Sequence, residues 1–122
     1  MVHKILAGPN LYIKIMEITG SLDYAAMTAV NDLKLDEGPV YVLLDVSRMN
    51  VGLPEGFLDG ARHSYFTHPN LGHMALYTDS ALLSSIGKMV AKLTGRKDKL
   101  TVHTNYQEAM NHLMALTKKA NL

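Results

Sequence analysis

Residues 39–63 of the chain read PVYVLLDVSRMNVGLPEGFLDGARH, and this stretch decides the fold. It opens with a continuous apolar run at residues 40–44, which is typical of a strand buried on both faces and which stops at Asp45. A loop over residues 46–53 follows, and Pro54 then suits the first turn of a helix. The stretch therefore predicts a central strand, a loop and a helix, in that order.

Two shorter apolar segments precede this stretch, at residues 2–6 and 11–18. The turn-forming residues Gly8, Pro9 and Asn10 separate them, so the two segments are predicted to pair as a β-hairpin. Residues alternate between the two faces of a strand, and one face of the second segment is more apolar than the other. We expect that face to lie against helices.

A helix is predicted between the hairpin and the central strand. Ser21 is its expected N-cap, Asp23 suits the positive end of the helix dipole, and the helix should end near Lys34. Its apolar positions form one stripe: Leu22, Ala26, Ala29, Val30 and Leu33.

A third strand–helix unit follows at residues 72–94. Its strand covers residues 72–78, its helix is capped by Asp79 or Ser80, and Gly95 marks the end of that helix. The stripe expected to face the core is Leu82, Leu83, Ile86, Val90 and Leu93.

The last unit is a strand at residues 100–103 and a helix that runs towards the end of the sequence. Thr104 and Gln107 are spaced as a capping box, which predicts where this helix begins. The expected inner face is Tyr106, Ala109, Met110, Leu113 and Met114.

The element order is therefore ββαβαβαβα, which predicts an α/β fold with a mixed, mostly parallel five-stranded sheet and four helices. The 122 residues, 48% hydrophobic and 19% charged, are expected to form one globular domain over residues 1–122.

Composition argues against several classes of protein. A net charge of +1 does not favour nucleic-acid binding, and the sequence has no Cys for disulfides, thiolate metal sites or thiol catalysis. No signal peptide or membrane-spanning run is evident, so we expect a cytoplasmic protein that is not an integral membrane protein.

The stretch at residues 39–63 resembles the SpoIIAA-like proteins, relatives of the STAS domains of anti-sigma-factor antagonists. In that family a buried strand ends in an Asp-x-Ser turn ahead of a helix. ALYTDSALLSSIGKMVAKLTG at residues 75–95 and TVHTNYQEAMNHLMAL at residues 101–116 resemble later units of the same family. The resemblance implies a small mixed sheet with helices, no established catalytic activity and a homodimer, with a distant likeness to lipid-binding CRAL-TRIO domains.

One position departs from the regulatory relatives. STAS antagonists carry a phosphorylatable Ser at the start of the helix after the turn, and the resemblance places that position at Val51 or Gly52. Neither side chain can accept a phosphate. The phosphorylation switch is therefore not carried over.

The candidate binding residues lie after the central strand. Asp45, Ser47 and Asn50 stand where open α/β sheets bind ligands, although such residues also stabilise turns by bonding nearby amides. The full candidate set for a ligand or partner is Asp45, Ser47, Met49, Asn50, Gly52 and Leu53.

Two functions follow from these observations. The first is a non-enzymatic binding or regulatory module that presents residues 46–53 and the next helix to an unidentified protein partner. The alternative is a carrier of a small apolar ligand or lipid, suggested by the eight Met residues and the CRAL-TRIO likeness. An enzyme using Asp45 or His63 ranks third.

Catalytic, metal and cofactor motifs are not evident. His63, His68 and His73 are five residues apart, a spacing that does not place them on one helix face, and no HExxH pattern is present. G-x-S-x-G and glycine-rich phosphate loops are also missing, so no metal, cofactor or catalytic residue is predicted.

A basic group surrounds the end of the third predicted helix: Lys88, Lys92, Arg96, Lys97 and Lys99. Cations commonly stabilise the carboxyl end of a helix, which is the simplest interpretation of this group. A contact with a membrane surface or an acidic partner is the alternative.

Overall fold

The computed structural model describes residues 2–50 and 52–122. Its sheet has five strands: β1 (Val2–Ala7), β2 (Ile13–Gly20), β3 (Val40–Met49), β4 (Leu71–Tyr77) and β5 (Leu100–His103). Its α-helices are α1 (Tyr24–Met27), α2 (Val30–Leu33), α3 (Phe57–Arg62), α4 (Ala81–Leu93) and α5 (Tyr106–Lys119). Short 3₁₀ turns cover Leu35–Glu37, Tyr65–Thr67 and Lys97–Lys99.

The strands lie in the order β1-β2-β3-β4-β5, with β1 antiparallel to β2 and the other neighbours parallel. Each parallel connection contains helix and moves to the adjacent strand, as short crossovers do. The predicted α/β class and the mixed, mostly parallel sheet are confirmed.

The two faces of the sheet are covered unequally. One core lies between the sheet and the helices of the crossovers, and it includes Met16, Ile18, Val42 and Leu76 with Ala26, Leu33, Leu83 and Ala91. The other consists of Ile13, Ile15, Leu43 and Ala75 with Ala109, Met110 and Leu113. Among the described residues, α5 is the only helix in this second core.

The helix predicted between Ser21 and Lys34 is wrong as a single element. Asp23 caps it in place of Ser21, since its Oδ1 accepts the Ala26 N–H at 2.9 Å, and α1 and α2 are each one turn long. Leu33 and Leu35 are both fully buried, and residues two apart cannot share one helix face. The chain therefore turns at Lys34, whose φ is 59°, and the predicted end of the helix near Lys34 is confirmed.

The ends of the longer helices differ in part from the prediction. Ser80 caps α4 by accepting the Leu83 N–H, and Gly95 follows the helix with a φ of 71°, both as expected. The capping box of Thr104 and Gln107 is wrong, because Asn105 caps α5 by accepting the Glu108 N–H at 3.0 Å.

Three residues assigned to the inner helix faces lie outside. Leu82 and Leu93 of α4 are 54% and 51% exposed, and Met114 of α5 is 43% exposed. Ala91 of α4 and Leu113 of α5 are fully buried. The face that each helix turns to the core is therefore slightly rotated from the predicted one.

Candidate functional site

The pairing of β2 with β3 contains a bulge. Glu17 lies opposite Asp45, but Thr19 lies opposite Arg48, so two residues of β3 stand against one of β2. The Asp45 Oδ1 accepts the Ser47 N–H at 3.0 Å and the Ser47 hydroxyl at 2.6 Å. The Asp-x-Ser motif therefore fixes a bulge inside a strand. The expected strand end at Asp45 is wrong, because β2 continues to pair with β3 as far as Met49.

The bulge decides which way the candidate residues point. A single extra residue moves the following side chains to the other face of the sheet. Asp45 precedes the extra residue and lies on the α5 face. Met49 follows the extra residue, pairs with Gly20 and therefore lies on the face of the crossover helices.

The six candidate residues do not form one site. Met49 and Leu53 line a common apolar cavity, while Asp45 and Ser47 bond to each other on the opposite face. Asn50 extends the pairing with β2, since its N–H donates to the Gly20 carbonyl at 2.6 Å. Apart from its two chain neighbours, no described residue has an atom within 4 Å of where a Cβ on Gly52 would stand, and Val51 is outside the described residues.

The cavity lies between the sheet and helices α1, α3 and α4, and its volume is about 120 Å³. Its walls are almost wholly apolar and come from these residues among others: Ile18, Leu22, Ala26, Met27, Leu44, Val46, Met49, Leu53, Phe57, Ala61, Met74, Leu76, Leu83, Ile86 and Val90. Leu53 is 37% exposed, which places one end of the cavity at the surface. Most of these residues were predicted only as core, and the high Met content was the one signal in the sequence that favoured an apolar site.

The polar groups in the cavity wall are already engaged. The Ser64 hydroxyl donates to the Ala61 carbonyl at 2.7 Å and accepts the Phe66 N–H at 3.2 Å. The Tyr65 hydroxyl donates to the Met16 sulfur at 3.8 Å, and burial raises the pKa of this phenol well above its usual range. The cavity is therefore suited to an apolar occupant.

A polar cluster occupies the α5 face at the carboxyl ends of the strands. Glu17 and Asp45 are neighbours across β2 and β3, and Arg48 lies 3.5 Å from the Glu17 carboxylate. Tyr106 packs edge-on against Tyr77, with ring centroids 5.6 Å apart. Burial raises the pKa of Tyr106, and the negative charges of Asp45 and Glu17 raise it further. Asp45 thus has neighbours that its sequence context did not reveal.

Three histidines meet between α5 and the edge of the sheet. The Thr101 hydroxyl lies 3.0 Å from His73 Nε2 and 2.7 Å from His103 Nε2. Because one hydroxyl donates a single proton, it donates to one imidazole and accepts from the other. The His112 ring lies 5.1 Å from His73 and 5.3 Å from His103, measured between centroids.

The environment of this cluster opposes protonation of His73. Its pKa is lowered from 6.5 to about 4, first by burial and then by positive charge on His112, Lys99 and His103, with Asp98 acting in the opposite direction. Burial also lowers the pKa of His103.

The histidines singled out in the sequence do not come together. His68 Nε2 lies 3.0 Å from an Asp36 oxygen, and His63 is exposed after α3. In residues 2–50 and 52–122, no group of three or more His, Cys, Asp or Glu residues is arranged to hold a metal ion.

With the geometry established, the fold can be compared with known proteins. It is similar to the crystal structure of an uncharacterized DUF3478-family protein from Shewanella loihica PV-4 that has a SpoIIAA-like fold, with a TM-score of 0.64 and 92% coverage of both chains. This chain has a SpoIIAA-like fold. Sequence identity to that neighbour is 14%, so the likeness shows the fold alone. No protein-family model and no curated protein matches the sequence.

The SpoIIAA-like resemblance expected from residues 39–63 is thus confirmed as a fold. Within this SpoIIAA-like fold, the Asp-x-Ser motif belongs to a bulged strand and the loop after it reaches an apolar cavity. No helix within the described ranges is long and apolar enough to cross a membrane.

We expect Asp45→Ala to lower the free energy of unfolding by about 1–3 kcal/mol, because it leaves the bulge amide and hydroxyl of Ser47 without their acceptor. Ser47→Ala removes the hydroxyl contact alone and should cost less. Urea denaturation of both variants gives the comparison. Equal stability of Asp45→Ala and the unmodified chain would show that this carboxylate does not hold the bulge.

We expect the folded chain to lose stability in acid because of the histidine cluster. The folded pKa of His73 lies below its unfolded value, so its contribution is complete above about pH 6.5 and is lost as the pH falls towards 4. Between pH 7.5 and 4.5 the loss from this residue should be about 2 kcal/mol. His73→Gln should remove that part of the pH dependence in urea titrations, whereas the exposed control His63→Gln should retain it. Identical pH profiles for the two variants would contradict the assignment.

Proposed function

We propose that this chain is a binding domain that takes one small apolar molecule, or the apolar end of a larger one, into the cavity beneath α1, α3 and α4. The observation that carries the proposal is the cavity itself, about 120 Å³, lined by apolar side chains and open to the surface at one end. An engineered protein cavity of about 150 Å³ lined in the same way binds benzene. The apolar-ligand function expected as the alternative is therefore favoured by the geometry.

The energetics favour an occupant. The cavity opens to the surface at Leu53, so an apolar occupant would remove its apolar walls from water, which contributes about 25 cal/mol per Å² of apolar surface buried. Met27, Met49 and Met74 contribute flexible thioether chains to the wall, which can adapt to the shape of the ligand.

The same geometry supports a role in binding without catalysis. The hydroxyls of Ser64 and Tyr65 are engaged within the wall, and the Asp45 carboxylate bonds to Ser47 on the other face of the sheet. A general acid or base must reach the reacting group of its substrate. None of these three groups is free to do so in the cavity. Gly52 offers no hydroxyl for a phosphate, which supports the proposal that the family's phosphorylation switch is absent.

A protein partner is the second candidate, favoured by exposed apolar side chains near the cavity. Leu53 and Leu58 are 37% and 43% exposed on the loop after β3 and on α3. We propose that a partner, or a second copy in the homodimer implied by the family resemblance, covers this surface. Replacing the exposed Leu58 with Glu should then abolish partner capture without unfolding the chain; unchanged capture would contradict this candidate.

The ligand proposal is tested with benzene as the probe. Titration followed by methyl resonances should show saturable binding, with the largest shifts at Met49, Met74 and Val90. Val90→Phe fills the cavity from α4 and should weaken benzene binding at least tenfold, a loss of about 1.4 kcal/mol. Met89→Phe alters the neighbouring residue, which is 41% exposed and outside the wall, and should leave binding unchanged.

Two results would count against the ligand proposal. One is an absence of saturable benzene binding to the unmodified chain. The other is equal affinity of Val90→Phe and Met89→Phe, both with native circular dichroism spectra. Native mass spectrometry of the freshly purified chain provides an independent measurement, in which a bound apolar mass is the expected result.

A further inference from the structure

A second concave surface lies along the free edge of the sheet. It is a groove bordered by β5, α4 and the 3₁₀ turn Lys97–Lys99, and it is lined by Lys88, Ala91, Lys92, Lys97, Leu100, Thr101, Val102 and His103. Leu100 also contributes to the wall of the apolar cavity. The apolar-ligand proposal does not use this groove.

The floor of the groove is the free edge of the sheet. Among the described residues β5 pairs with β4 alone, so the backbone groups that point away from β4 have no strand partner there. The strand itself is Leu-Thr-Val-His, four residues long, and it contains no proline or lysine that would oppose pairing with a short extended segment.

The side chains of β5 are held on both sides of the sheet. Leu100 and Val102 pack against the core beneath α4, while Thr101 and His103 join the histidine cluster beneath α5. The outward backbone groups are therefore presented by a fixed strand.

The wall of the groove is positively charged. Lys88 and Lys92 lie one turn apart on α4 and are both exposed, and Lys97 stands at the end of the same groove. Asp98 is the acidic residue within the adjoining turn. Charge of one sign along a groove selects a partner of the opposite sign.

We propose that this groove binds an extended acidic peptide segment, which adds to β5 as a sixth strand while its carboxylates lie beside Lys88, Lys92 and Lys97. Strand addition supplies backbone hydrogen bonds, and alternate side chains supply specificity. A second copy of this chain is disfavoured at the same edge, because it would bring its own lysines against these.

The test uses a fluorescein-labelled peptide with alternating Glu and Val, EVEVEVE, and the intact chain. Binding measured by anisotropy should be saturable, and the amide resonances of residues 100–103 should shift. The same peptide N-methylated at alternate residues keeps its charge but loses donors for strand pairing, and it should bind at least tenfold more weakly. A peptide with Lys in place of Glu should not bind.

Variants identify the groove. Lys88→Glu combined with Lys92→Glu should weaken EVEVEVE binding at least tenfold, whereas Lys118→Glu with Lys119→Glu, at the exposed end of α5, should not. Benzene binding should be unchanged in both, which separates this groove from the apolar cavity.

Three results would overturn the proposal: no peptide binding, equal binding of the N-methylated peptide, or equal effects of the two lysine pairs. Binding of phosphatidylserine vesicles that depends on Lys88 and Lys92, without peptide binding, would instead assign the surface to a membrane.

Discussion

The hydrogen bonds from Ser47 to the carboxylate of Asp45 determine which face of the sheet the side chains at the end of β3 occupy. They stabilise one extra residue in β3 opposite β2, and that residue reverses the direction of the side chains that follow. Met49 consequently reaches the core beneath the crossover helices, while Asp45 stays on the face of α5. A motif that suggests a polar binding turn thus acts as a structural device that supplies a wall to an apolar cavity.

The unequal covering of the sheet explains where that cavity forms. On the α5 side, one long helix packs against the sheet, and Ile13, Leu43, Ala75 and Leu113 are fully buried. On the opposite side, the cover is divided among the short helices α1, α2 and α3 and the longer α4. The cavity lies on this second side, where its wall is assembled from several separate elements and includes the small side chains of Ala26 and Ala61.

The sequence predicted the order of the elements along the chain and most strand positions because apolar runs and turn residues are local signals. It did not predict the bulge, since this depends on pairing with β2, nor the division of the helix before Lys34 into α1 and α2. Met49 and Leu53 were identified as candidates, but the residues from other elements that face them were not. The cluster of His73, His103 and His112 likewise joins three elements and has no local pattern.

The space between the sheet and α1, α3 and α4 is proposed as a site for an apolar molecule. A crystal structure of the chain pressurised with xenon tests this proposal, because xenon enters apolar protein cavities of similar size. We expect an anomalous xenon peak between Met49, Met74 and Val90. A filled, xenon-free core at that position, or xenon bound only elsewhere, would contradict it.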